Sequence, residues 1–163
     1  MIYRNLIFLF LILCSCAKKP AEPGSSGRLK ILYIGNSLTY TNNLPALVEE
    51  LAILDGKKIS SHSITLSDYS LEDHWNGGIV KTAIEKGKYD FVIAQQGPSA
   101  LPESQVLLLD YAGRFAQVCK NNKSKMAMYM VWPSKARLFD LDKVIYSYTN
   151  AAQQTGSLLC PAG

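Results

Sequence analysis

From residue 29 onward the chain alternates short, nearly continuous apolar runs with stretches whose apolar positions recur every three or four residues. Leu29, Ile31, Leu32, Tyr33 and Ile34 read as a buried strand that stops abruptly at Gly35-Asn36-Ser37. Leu44, Leu47, Val48, Leu51 and Leu54 then share one face of a predicted helix, which Asn42 or Asn43 can cap and Gly56 can end. Residues 58–66 read as a second strand, less apolar and therefore expected at a sheet edge. A weaker helix carries Ile79, Val80, Ala83 and Ile84 and ends at Gly87, and residues 89–94 form a strong buried strand. Pro102 opens a helix with Leu107, Leu108, Tyr111, Ala112, Phe115 and Val118 facing inward. The next strand, 126–132, is stopped by Pro133, with Met126, Met128 and Met130 as core. Leu141, Val144, Ile145, Tyr148, Ala151 and Ala152 make a last helical stripe ending at Gly156, and a further strand begins at Leu158-Leu159-Cys160. Such repeated β-α units with apolar strands predict α/β, a three-layer α/β/α sandwich on a parallel sheet. A strand at 158 would ordinarily be followed by a covering helix, so the domain reads as incomplete at its C-terminus.

The first 28 residues do not follow this pattern. Arg4 precedes an eight-residue apolar run at 6–13, too short to span a bilayer and typical of a signal-peptide core. Leu13-Cys14-Ser15-Cys16 resembles the bacterial lipobox, which implies that Cys16 becomes a lipidated N-terminus. Residues 1–16 are thus read as a signal peptide. Residues 17–28, rich in Pro, Gly and Ser, are read as a flexible tether of roughly 20 Å, and 29–163 as the folded domain. The expected location is outside the cytoplasm, lipid-anchored to the bacterial cell envelope, with the membrane as a partner through that anchor.

Composition narrows the picture further. The 163 residues suffice for one domain with a sizeable core. A net charge of +4 without any basic stripe argues against a nucleic-acid partner. Two of the four cysteines lie in the leader, so no disulfide framework is expected. Cys119 and Cys160 read as buried thiols without metal-ligand spacing, and no cofactor is expected.

Ser37 follows the first strand, where α/β folds bind ligands at the carboxyl edge of the sheet. Two active roles fit the local pattern. Ser37 can be a nucleophile, given a base and an oxyanion site. Alternatively, Asn36, Ser37, Thr39 and Thr41 form a phosphate-cradling turn, as in flavin-binding proteins of this class. Thr39 excludes the G-x-S-x-G elbow, and the lack of Gly-Lys-Ser/Thr excludes a P-loop. The two histidines read differently. His62 sits mid-strand as a packed or edge residue, whereas His74 lies near the carboxyl edge and can line a pocket.

Ile34-Gly35-Asn36-Ser37-Leu38-Thr39 followed by Asn43-Leu44-Pro45 resembles the first block of the SGNH (GDSL-like) hydrolases. More narrowly it resembles a bacterial lipoprotein subgroup with an I-G-N-S-[FLY]-T opening. The similarity continues through Tyr69-Ser70-Leu71-Glu72-Asp73-His74-Trp75, through residues 89–96 and through Tyr129-Met130-Val131-Trp132-Pro133. It implies a flavodoxin-like SGNH-hydrolase fold and an exported esterase in which Ser37 attacks an acyl ester, such as that of an acylated glycan. The implied oxyanion hole comprises the N–H groups of Ser37 and Asp68 and the Gln95 side chain. Asn36, Tyr69, His74, Gln96 and Trp132 are the implied pocket residues. The family places glycine where Asp68 stands, and a carboxylate there opposes a developing oxyanion. Gln95 or Gln96 replaces the family's third-block asparagine, and Gln95 lies closer to the strand end. The family's Asp-x-x-His, which supplies the base, occurs nowhere in these 163 residues. The resemblance therefore implies a base beyond residue 163 and a nearly inactive chain. A non-catalytic carbohydrate-binding module on the same scaffold is the alternative.

Overall fold

The computed structural model describes residues 27–162; the expected signal peptide with Cys16, most of the expected tether, and Gly163 lie outside the described residues. Strands β1 (Leu29–Gly35), β2 (Ile59–Thr65), β3 (Phe91–Ala94), β4 (Lys125–Met130) and β5 (Leu158–Pro161) form one sheet. Their order is β2-β1-β3-β4-β5, and every neighbouring pair is parallel. Helices α1 (Ser37–Tyr40), α2 (Leu44–Leu54), α3 (Leu71–Gly77), α4 (Ile79–Gly87), α5 (Pro102–Asn121) and α6 (Leu141–Thr155) connect them. The strand order reverses between β1 and β3, and the turn carrying Ser37 opens at that switch point.

Period-two alternation along the strands sorts the core onto one face. Leu32, Ile34, Val92, Ala94, Met126 and Met128 are buried in a single cluster with Leu71 of α3, Ile84 of α4, Phe115 of α5 and Tyr148 of α6. Ile31, Tyr33, Ile93, Ala127 and Tyr129 project to the opposite face. Among the described residues α2 packs at the β2 end of the sheet, and Ile93 and Tyr129 remain half-buried. Glu49 of α2 accepts the N–H of Ser61 on β2, an edge strand as expected.

This lopsided cover corrects the reading of α2. Leu47, Leu51 and Leu54 share the apolar face of the expected helix, yet all three are exposed, Leu54 by 85%. The helix seats Pro45 and Ala52 instead, with Leu44 and Val48 half-buried, because no described element stacks against its leucine flank. Asn43 does precede the helix, but in a left-handed conformation and without a side-chain capping bond. The expected helix ending at Gly87 is preceded by a second one, α3, separated from it by the left-handed Gly78. Burial pushes the Cys119 thiol up to about 12, whereas Cys160, also expected to be buried, is only partly so. Among the described residues no helix is long and apolar enough to cross a membrane.

Candidate active site

At the end of β1 the chain turns on Asn36, whose side-chain Oδ1 accepts the N–H of Leu38 at 3.1 Å and so caps α1. Ser37 is the first residue of α1, a position whose N–H has no partner inside the helix. Neither the N–H nor the hydroxyl of Ser37 makes a hydrogen bond among the described residues. The Asn36 side chain also donates from Nδ2 to the Tyr69 carbonyl at 3.0 Å. That bond ties the Ser37 turn to the turn after β2, which carries Asp68.

Gln95, at the end of β3, is fully buried beneath this junction. Its Oε1 accepts the N–H of Asn36 at 3.0 Å and the hydroxyl of Thr39 at 2.8 Å. Its Nε2 donates to Asn36 Oδ1 at 3.0 Å and to the Gln96 carbonyl at 2.6 Å. Both amide hydrogens are therefore spent within the protein. Gln95, expected to stabilise an oxyanion, instead fixes the turn that presents Ser37. Thr39, only 1% exposed and read from the sequence as part of a phosphate-cradling turn, instead completes this network. Its signal was a hydroxyl two positions after the serine, on the side of α1 that returns to the sheet.

Gln96 is likewise structural rather than a pocket wall. It is buried, accepts the Leu71 N–H through Oε1 at 3.1 Å and donates to Ser99 Oγ at 2.8 Å. Its carbonyl accepts the Tyr148 hydroxyl at 2.7 Å. The two adjacent glutamines thus brace the Ser37 turn, the start of α3 and the β3–α5 loop from below.

Asp68 adopts a left-handed conformation, with φ at 60°. Glycine populates that region freely and aspartate at some cost. The Asp68 N–H has no hydrogen-bond partner among the described residues. Its exposed carboxylate accepts the Ser67 hydroxyl at 2.9 Å, and solvent there weakens its repulsion of a nearby oxyanion.

His74 does not line an open pocket. The capping box of Ser70 and Asp73 starts α3 and presents the imidazole inward, 3% exposed. Its Nε2 lies 2.9 Å from the Gly35 carbonyl. A carbonyl only accepts, so Nε2 carries the hydrogen. The histidine thereby anchors the last residue of β1, and the Tyr69 ring stands 5.1 Å from its own. Burial, the largest cause, holds the His74 pKa below its ordinary 6.5, against the opposing pull of the Gly35 carbonyl and the Asp73 carboxylate.

That depression fixes a sign. The unfolded chain binds the proton first as pH falls, so the native state is fully favoured above about pH 6.5 and loses stability through the window below it. Urea titrations between about pH 7.5 and about pH 5 should show the midpoint falling with pH. In His74→Gln that part of the slope should disappear. An unchanged slope would assign the effect to groups other than His74, and Asp73 is not among them, because its own lowered pKa places its contribution at more acid pH.

Tyr69 and Trp132 are both exposed at the carboxyl edge, after β2 and β4. His62 is exposed on the edge strand, its Nδ1 bonded to the Tyr89 hydroxyl. Among the described residues no imidazole reaches Ser37, and no group of His, Cys, Asp and Glu is arranged to hold a metal ion. A cavity of about 590 Å³ beside Trp75 and Arg114, and one of about 660 Å³ beside Phe91 and Lys120, both lie away from Ser37.

No protein-family model and no curated protein matches the chain. Solved structures do. A candidate SGNH hydrolase from Slackia heliotrinireducens is 23% identical, with a TM-score of 0.68 over 82% of this chain and 78% of that one. The esterase EstA from a Pseudoalteromonas species is 14% identical, with a TM-score of 0.61 over 80% and 75%. A variant of the acetyl-xylooligosaccharide esterase Axe2 from Geobacillus is 15% identical, with a TM-score of 0.56 over 80% and 74%. At these identities the likeness is one of fold, and the fold is that of the SGNH hydrolases.

Proposed function

We propose that the protein is an exported, membrane-tethered acyl-ester hydrolase of the SGNH type, with Ser37 as its nucleophile and an acylated glycan as a substrate class. The observation that carries this reading is the amide network of Asn36 and Gln95. It spends four hydrogen bonds, three of them buried, on holding one turn while leaving the Ser37 hydroxyl unbonded at its exposed end. A turn with a merely structural role has no need of such bracing around a free hydroxyl. The esterases that share the fold support the same chemistry.

In this mechanism Ser37 Oγ attacks the ester carbonyl carbon while a base takes its proton. The carbonyl electrons move to oxygen, where the N–H groups of Ser37 and Asp68 stabilise the charge. Collapse of the intermediate expels the alcohol, protonated by the conjugate acid of the base, and leaves an acyl-serine. Water then repeats the sequence and releases the carboxylic acid. Among the described residues no imidazole reaches Ser37, so the base of this mechanism is a group other than His62 and His74. Cys16, as the lipidated N-terminus, would hold the domain at the cell envelope. The second reading, a non-catalytic glycan-binding module, draws support from the lack of an imidazole at Ser37 among the described residues.

Supplying the base from solution separates the two. The 163-residue chain should hydrolyse p-nitrophenyl acetate barely faster than buffer, since loss of a triad member leaves only oxyanion and binding contributions. Added imidazole should raise its rate above that of Ser37→Ala at the same imidazole concentration. Equal rates for the two proteins at every imidazole concentration would remove the esterase reading in favour of the binding module.

A further inference from the structure

Every loop at the carboxyl edge of the sheet carries a large exposed apolar side chain. Tyr40 follows β1, Leu66 and Tyr69 follow β2, Leu101 follows β3, and Trp132, Leu138 and Phe139 follow β4. The last group is the densest. Trp132 is 45% exposed, Leu138 55% and Phe139 74%, all within residues 132–139.

The charges in that segment have one sign. Lys135 and Arg137 are its only ionic groups. The carboxylate that follows, Asp140, is 1% exposed and is held below the usual carboxylate range by Lys143 and Arg137. Asp140 therefore pins the base of the loop and projects no negative charge outward. Arg137 lies 5.6 Å over the Phe139 ring, which keeps the aromatic side chain at the surface beside a cation. Lys143, at the start of α6, shares Asp140 with Arg137, so residues 135–143 set three cations against the two carboxylates of Asp140 and Asp142.

An aromatic and aliphatic tip flanked by cations matches the chemistry of a bilayer interface, where apolar side chains enter the acyl boundary and lysine or arginine meets anionic headgroups. We propose that residues 132–139 form a docking surface for an anionic lipid bilayer, turning the carboxyl edge and Ser37 toward the membrane. The inference does not depend on Ser37 being a nucleophile, because it concerns where the edge sits.

The test uses the full chain bound to phosphatidylcholine vesicles, with and without phosphatidylglycerol, the acyl chains of the lipids being brominated. Any attachment through residues 1–26 is common to every variant, so the readout is the position of Trp132. Its emission should shift to the blue and be quenched on phosphatidylglycerol-containing vesicles, and Trp132→Phe should remove the quenched component. Trp75, packed edge-on against Phe115 at 5.2 Å, should be unaffected. Leu138→Asp combined with Phe139→Asp, two exposed positions, should reduce the quenching by about tenfold while the protein remains folded by circular dichroism. Unquenched Trp132 on vesicle-bound protein would overturn the proposal. So would equal quenching on pure phosphatidylcholine, which would remove the anionic lipid from it.

Discussion

Gln95→Leu is expected to cost about 3–5 kcal/mol, read as a lowered urea midpoint at unchanged slope. The estimate comes from following each of the four bonds. Asn36 Oδ1 loses the Gln95 donor but keeps the Leu38 N–H, and the Gln96 carbonyl keeps the Tyr148 hydroxyl. Two donors are orphaned instead, the Asn36 N–H and the Thr39 hydroxyl, both of which end on Gln95 Oε1. A buried donor left without an acceptor costs about 1–3 kcal/mol. Thr39 is nearly inaccessible, so water cannot readily substitute. Gln95→Glu discriminates further. It keeps the acceptor oxygen but sets a second oxygen against Asn36 Oδ1 and the Gln96 carbonyl, which repel a carboxylate. Its stability should therefore recover as pH falls and that oxygen gains a hydrogen, the opposite trend to that expected from His74. A Gln95→Leu protein as stable as the parent would mean that the network does not brace the turn.

Gly35→Ala should cost about 2–3 kcal/mol, for want of space rather than of backbone freedom. A Cβ at residue 35 would lie 2.4 Å from Gln95 Oε1 and 2.6 Å from Thr39 Oγ1. Those two atoms are hydrogen-bonded to each other at 2.8 Å, so neither can withdraw without breaking the network it serves. Gly97 provides the control. A Cβ there meets nothing within 4 Å, and Gly97→Ala should leave the midpoint unchanged. If the two alanines proved equally harmless, the close packing at the Ser37 turn would have to be looser than these distances imply.

Much of the fold was legible because parallel strands must be apolar to be buried, and the runs at β1, β3, β4 and β5 stand out for that reason, with the less apolar β2 at the edge. The runs at β1 and β3 end at Gly35 and Ala94, as read from the sequence, whereas β4 ends at Met130, two residues short of the expected limit before Pro133. The reading failed where two elements must be known together. The α2 leucines are amphipathic by spacing, but spacing cannot say whether anything lies opposite them. Helix α3 was missed because seven residues rich in polar side chains give periodicity too few turns to register. The Ser70-x-x-Asp73 capping box was its one local sign. At the site, Ser37 and its turn were visible from the sequence. The role of Gln95 was not, because an amide donates and accepts equally well, and only its burial and partners decide which groups it serves. His74 tells the same story, since a histidine near the carboxyl edge reads as chemistry until its hydrogen is found on the carbonyl of Gly35.

The carboxylate of Glu49 has a consequence outside the site. Strand β2 is the open margin of the sheet, and an unpaired rung of backbone on such a margin is a template for another chain. By holding the Ser61 N–H, Glu49 occupies one of those rungs with a negative charge. A second molecule arriving edge to edge would have to displace it. The same residue that seats α2 thus discourages polymerisation.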